Sequence, residues 1–245
     1  MKFSKGIFMA MGLMASLLLL NSCDSNNDYI IVQRPTALVT VYPDGPDAFT
    51  MQLDDSTTLF PSNMKASPYG NKKVRALVNY TVDPDFCGDN CMSVHVNWID
   101  SIRTKQPVVS MGSSDDDAKA YGNDPIEIVR DWVTVAEDGY VTLRIRTLWG
   151  GKATHIVNLV GGVNKDNVCE FDLCHDARGD VNGTVGDALI AFDLNSFWTD
   201  HSKEVKIKLN WLSFSGKKSI ELPLKMHAVS SETVADAPSL LRRIE

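Results

Sequence analysis

Alternation of apolar and polar residues at period two runs through most of this chain, and that pattern predicts strands almost everywhere. Thr36-Ala-Leu-Val-Thr-Val-Tyr42 reads as a first strand, stopped by Pro43-Asp-Gly-Pro46. Phe49-Thr-Met-Gln-Leu53 and Thr57-Thr-Leu-Phe60 form a hairpin around Asp54-Asp55-Ser56. A loop holding Pro61, Pro68 and Gly70 leads to the long strand Lys73–Val82. Its expected partner is Met92–Ile102, reached through a loop with Cys87 and Cys91. Five or so strands within about 75 residues, one long pair among them, suit a small OB-like barrel.

Composition then changes. Met111–Asn123 is rich in Gly and Ser, carries Asp115, Asp116 and Asp117 in a row, and reads as a solvated linker. Beyond it, seven segments alternate: Ile126–Val135, Tyr140–Trp149, Ala153–Val160, Val168–Cys174, Ala188–Leu194, Val205–Phe214 and Ser219–Leu224. Asp138-Gly139 and Gly150-Gly151 between them are hairpin signals, and short strands at regular turn spacing predict an antiparallel β-sandwich. The expected fold class is therefore all-β: an OB-like domain over 35–112, a sandwich over 113–228 and a C-terminal tail over 229–245.

The one long apolar run, Gly6 to Leu20, follows the basic Lys2 and Lys5 and ends at Leu20-Asn21-Ser22-Cys23. It is too short and wrongly flanked for a membrane span but suits a secretory leader. With a cysteine at the cleavage position it resembles the signal of a bacterial lipoprotein. That resemblance implies removal of residues 1–22, acylation of the Cys23 thiol and a tether over 23–34. It places the folded part in the cell envelope, lipid-anchored, with the outer membrane the expected one. The formal charge of −7 becomes more negative without Lys2 and Lys5. Such a surface repels phosphate backbones and anionic headgroups, so nucleic acid is excluded as a partner and the membrane is engaged through lipid.

Several further segments, taken in order, carry a family resemblance: Asp54-Asp55-Ser56-Thr57-Thr58-Leu59-Phe60-Pro61, Arg75–Tyr80, Ile102–Lys105, Asp138–Leu143, Trp149-Gly-Gly151, His155–Leu159 and Ala191–Leu194. The chain resembles the NigD-like lipoproteins of Bacteroides-type bacteria. The resemblance implies an N-terminal OB-like domain, a C-terminal β-sandwich, and an association with bacteriocin production in an immunity or accessory role. It implies no established enzymatic activity.

Candidate chemistry is sparse. Cys87, Cys91, Cys169 and Cys174 form an even set in an oxidising compartment, so three pairings are open and two local disulfides, Cys87 with Cys91 and Cys169 with Cys174, are the expectation. Free thiols, or a zinc site using the same thiols with His175, are the alternatives. Asp176, Asp180, Asn182 and Asp187 are oxygen ligands in a Gly-rich stretch that could suit calcium. Yet Arg178 and Val181 break the loop pattern, and turn geometry explains these residues better. No nucleophile–base motif, metalloprotease motif or phosphate-cradling loop is present. Adjacent Cys174 and His175 would point to opposite faces of a strand, so they are no dyad.

Trp98, Trp132 and Trp211 lie in alternating strands and are expected in the core, whereas Trp149 and Trp198 are the expected surface residues for ligand binding. The resulting expectation is a non-catalytic, cofactor-free envelope lipoprotein that binds a protein partner, with a glycan-binding accessory as the alternative.

Overall fold

The structure is a computed structural model that describes residues 34–54, 56–84, 88, 90–195, 197 and 204–225. Strands β1 (Thr36–Pro43), β2 (Phe49–Gln52), β3 (Thr58–Pro61), β4 (Val74–Val82) and β5 (Cys91–Ser101) close into a barrel of order β1-β2-β3-β5-β4. The inward positions Val39, Val41, Met51, Leu59, Val78 and Val94 are each fully buried, as the alternation requires.

The sandwich has two sheets. One runs β6 (Arg103–Lys105), β13 (Thr184–Asp193), β10 (Tyr140–Trp149), β8 (Glu127–Val129), with β9 (Val135–Glu137) also on β10. The other runs β15 (Gly216–Lys225), β14 (Glu204–Ser213), β12 (Glu170–Asp176), β11 (Ile156–Gly161), β7 (Val108–Val109). Its long neighbours β10·β13, β11·β12 and β14·β15 are antiparallel, while β6·β13, β7·β11 and β12·β14 are parallel. Odd-numbered residues of β10 (Val141, Leu143, Ile145) meet Leu159, Phe171, Leu173, Ile207 and Leu209 between the sheets. Burying each such side chain contributes ~1.5–3 kcal/mol.

The expected linker is structured. Ser110 to Asn123 contains α1 (Ser114–Tyr121), whose N-cap Ser113 accepts from the Asp116 N–H and whose first turn carries the three acids, where the helix dipole favours them. Asp117 is buried rather than solvated; its carboxylate accepts from Ser110 Oγ at 2.7 Å and from the Met111 N–H at 2.6 Å. Because β6 and β7 already belong to sandwich sheets, the chain enters the second module directly after Ile102, ahead of the linker.

Other differences from the sequence pattern have local causes. Ile126–Val135 is two strands, β8 and β9, split by a turn in which Asp131 accepts from the Val133 N–H and Thr134 Oγ1 donates to Val129 O. Trp132 sits on that turn and is 57% exposed. In β5, Trp98 opposes Asn79 but Val96 opposes Tyr80, so Asn97 is an extra residue. That bulge reverses the alternation and turns Trp98 outward, 43% exposed. Asp138-Gly139 is the expected two-residue hairpin, with φ of 52° and 76° matching a type I′ turn. Gly150-Gly151 is not a hairpin, since β10 pairs with β13 and β11 with β12.

Barrel and sandwich are fastened through a buried polar contact and a small apolar cluster of Leu38, Ile102, Val133 and Ala191. Arg75 of β4 is 1% exposed; its guanidinium donates to Thr40 Oγ1 at 2.9 Å within the barrel, to Thr142 Oγ1 at 3.4 Å in the sandwich, and to the Glu137 carboxylate. Beside it, Tyr42 OH donates to Asp138 Oδ2 at 3.0 Å, and Lys73 Nζ lies over the Tyr42 and Tyr140 rings at 4.7 and 5.2 Å.

Candidate functional site

Two polar features stand out at the α1 end of the sandwich. The first is a cleft of about 620 Å³ between α1 and the outer face of the β12–β14–β15 sheet. Even-numbered residues of β12 face it while odd-numbered ones enter the core, so Glu170, Asp172 and Cys174 share the cleft face with Asn210 of β14. Glu170 Oε1 accepts from Lys208 Nζ at 2.9 Å and from Asn210 Nδ2 at 2.8 Å, and Oε2 accepts from Asn164 Nδ2 at 3.0 Å. Those donors, Asn164 first, hold the Glu170 carboxyl down at about 2. The network presents a fixed polar floor, with the Lys217 and Lys218 side chains at one rim.

The second feature lies behind the cleft and is sealed. His155, His175 and Asp180 are 0, 1 and 1% exposed. Pairing of β11 with β12 sets Val157 opposite His175, so His155, two residues earlier, reaches the same inner face; its Nδ1 lies 2.9 Å from His175 Nε2. On the other side, His155 Nε2 is 3.5 Å from Asp180 Oδ2, which also accepts from the Lys152 N–H at 3.1 Å. The Trp149 ring stacks on His155 with centroids 4.2 Å apart, while its indole N–H donates to Gly186 O at 2.8 Å.

Gly150 is required here by close approach: a Cβ would fall 2.1 Å from Asp180 Oδ1. Burial opposes the charge on Asp180, but backbone N–H groups of Lys152, Ala153 and Gly150, with the His155 ring, outweigh it and hold the carboxyl below its usual range. Burial, and then the neighbouring His155, push the His175 imidazole below its usual range against an opposing pull from Asp124.

Trp149, expected at the surface, is 8% exposed because its position continues the inward parity of β10. Trp211 is buried at 7% as expected; Trp98 and Trp132, expected in the core, are outside for the reasons given above. Trp198, Cys87 and Cys23 lie outside the described residues. Cys91 is disulfide-bonded.

Cys169 and Cys174 are free thiols, contrary to the local pairing expected. Five residues along extended chain separate Cα atoms by roughly 16 Å, against the ~7 Å a bridge tolerates. Burial first, then Asp172 and Asp117, push the Cys174 thiol up to about 12. His175 points into the core while Cys174 faces the cleft, so they share no metal.

The calcium candidates are dispersed. Asp176 Oδ1 accepts from the Arg178 N–H, Asp180 turns inward to His155, and Asp187 accepts from Arg144 and Arg146 on the sheet surface. Asn182 is exposed on the turn before β13. Among the described residues no group of three or more His, Cys, Asp or Glu is placed to hold a metal ion. Sequence reasoning missed the His155–His175 contact. Its only trace was the placing of both histidines at strand ends near Gly-rich turns.

Comparison with known proteins agrees with this architecture. Residues 38–102 match the NigD-like N-terminal OB domain and residues 107–224 the NigD-like C-terminal beta sandwich domain. A protein described as toxin-related from Parabacteroides distasonis is 30% identical, with a TM-score of 0.65 over 79% of this chain and 94% of its own. A NigD-like immunity protein from Bacteroides caccae shares the fold at 20% identity and a TM-score of 0.53, over 79% of this chain and 92% of its own. A protein described as a lipoprotein from Bacteroides fragilis does so at 16% and 0.52, over 82% and 100%. No curated protein matches the chain. An OB barrel followed without a linker by a β-sandwich, each half matched by its own family model, makes this chain a member of the NigD-like family.

Proposed function

We propose that this protein is a lipid-anchored, non-catalytic envelope protein that binds a protein partner in an immunity-like role. The observation that carries the reading is where its buried charge is used. Arg75 and Glu137 join barrel to sandwich, and the closest acid–base set, His155, His175 and Asp180, is closed to solvent. Two modules joined by a buried ion pair, with no accessible acid–base set among the described residues, are suited to recognition. The immunity protein of B. caccae and the toxin-related protein of P. distasonis share its fold, which supports the same direction. Cys23 supplies the anchor, through acylation after removal of residues 1–22.

The test is a protection assay. Cells lacking the gene, cells with it restored, and cells carrying Cys23→Ser are challenged with bacteriocin-containing supernatant, and in-cell crosslinking follows the restored protein. Protection only by the restored, lipidated protein, with a crosslinked envelope or toxin protein, is expected. Equal killing of all three strains with no crosslinked species would refute the role. The exposed Trp98 and Trp132 favour glycan binding as a second reading. Loss of fluorescence response to polysaccharide in Trp98→Phe and Trp132→Phe would support it, and no response in the parent protein would end it.

A further inference from the structure

Three buried polar atoms that make no well-aligned hydrogen bond, His155 Nε2, His175 Nδ1 and Asp180 Oδ1, belong to one contiguous chain of side chains. Such groups are rare in folded proteins and costly when clustered. Only one hydrogen fits in the 2.9 Å contact between His155 Nδ1 and His175 Nε2, so one ring donates and the other accepts.

While that contact stands at most one of the two rings can be cationic, and on its far side His155 Nε2 faces Asp180 Oδ2 at 3.5 Å. With one ring cationic the other is neutral and accepts across the contact, so a second proton would have to enter the 2.9 Å gap itself, where two N–H groups would face each other with ring centroids 5.0 Å apart. The charged groups around the chain are Asp180 from the 177–183 turn, Asp124 from the segment entering β8, and Asp176 at the end of β12. Lys152 and Arg178 expose their side chains and contribute backbone N–H groups, to Asp180 and Asp176 respectively. Asp124 and the backbone of Asp124 and Pro125 favour a charged His175, and burial and His155 outweigh them.

These residues hold the loop end of the sandwich together. The Asp124 N–H donates to His175 O at 2.8 Å, the Ala177 N–H to Asp124 Oδ2 at 2.8 Å, and the Lys152 N–H to Asp180 Oδ2 at 3.1 Å. We infer that the Asp180–His155–His175 chain is an acid-operated latch: it tolerates one cationic ring, and protonation of both releases the 122–126 segment and the 150–154 and 177–183 turns while the barrel stays closed.

The direction of the His175 shift agrees, because burial and His155 both disfavour its charged form when the end is closed. In the opened, solvated end that ring regains its ordinary value near ~6.5, so opening takes up a proton. The opening equilibrium is then flat above about pH 6.5 and rises up to tenfold per pH unit below it, until the closed-state value is reached. No partner is needed for this, so failure of the proposed function would leave the latch intact.

Amide hydrogen exchange on the full chain tests it, with rates corrected for intrinsic exchange. Between pH 6.5 and 5.5 the opening constants of the Asp124, Ala177 and Lys152 amides are expected to rise roughly tenfold. The Ile102 amide, bonded to Arg75 O at 2.8 Å in the barrel, is expected to stay unchanged. His175→Gln should remove the pH dependence. No change at the three amides, or an equal rise at Ile102, would overturn the latch. Should the variant not fold, nuclear magnetic resonance titration of the two imidazoles in the unmodified protein decides: one ring protonating well below the ordinary range supports it, and two independent titrations near ~6.5 overturn it.

Discussion

Removing either partner of the Arg75–Glu137 contact should destabilise the protein unequally, and in an order that intuition about side-chain size would reverse. The Arg75 side chain is 1% exposed, whereas that of Glu137 is 24% exposed. In Glu137→Ala the guanidinium stays buried with only the hydroxyls of Thr40 and Thr142 as the oxygen partners described above, and an unpaired buried charge of that kind costs about 3–5 kcal/mol. In Arg75→Met the residue left behind is a carboxylate that water can reach, and the methionine fills part of the volume. The loss is then mainly the hydroxyl hydrogen bonds, about 1–2 kcal/mol.

Urea unfolding followed by circular dichroism gives both values, and the double variant closes the cycle. It should lie near Arg75→Met alone, because without the guanidinium there is no stranded charge. For a chain of this size the Glu137→Ala loss amounts to roughly 6–20 °C in Tm, at about 2–4 °C per kcal/mol. A Glu137→Ala cost no larger than that of Arg75→Met, or strictly additive costs, would refute the claim that this ion pair fastens the two modules.

Further outcomes follow from the same geometry. Without reductant, unfolded protein should release the thiols of Cys169 and Cys174 to a colorimetric reagent; in folded protein at pH 8 Cys174 should react far more slowly than a free thiol, since its thiol is pushed up to about 12. Masking of Cys169 and Cys174 by a mutual disulfide in the unfolded chain would contradict this. Acrylamide quenching should fall most in Trp98→Phe and Trp132→Phe and least in Trp149→Phe; the reverse order would place the indoles wrongly. Glu170, held down at about 2 in the fold, contributes stability that is complete above the ordinary carboxylate range and lost as pH falls toward 2. Acid unfolding of Glu170→Gln should therefore show a shallower dependence between pH 4.5 and 2 than the parent, and an identical curve would remove Glu170 from the account.

Period-two alternation made the all-β class, the barrel strands and most of the sandwich strands legible, because each strand buries one face and local pattern alone specifies which. Asp138-Gly139 was legible for the same local reason: only a few residue types tolerate positive φ at both positions of the turn. Trp149 was legible in principle, since its parity within β10 marks it as inward. The following Gly-Gly drew attention to a turn that serves close approach to Asp180 instead.

What escaped depends on residues distant in sequence. The Asn97 bulge that turns Trp98 outward exists only relative to β4, and the placement of β6 and β7 in the sandwich only relative to β13 and β11. His155 and His175 meet because β11 and β12 pair in one register, and Arg75 finds Glu137 across 62 residues because two modules are packed together. By itself the sequence determined which stretches are strands and which face of each is apolar, since that information repeats every two residues along the chain. Tertiary structure alone decided which polar groups share a site, since hydrogen bonds and ion pairs act over about 3 Å and depend on register, bulges and packing that no local pattern encodes.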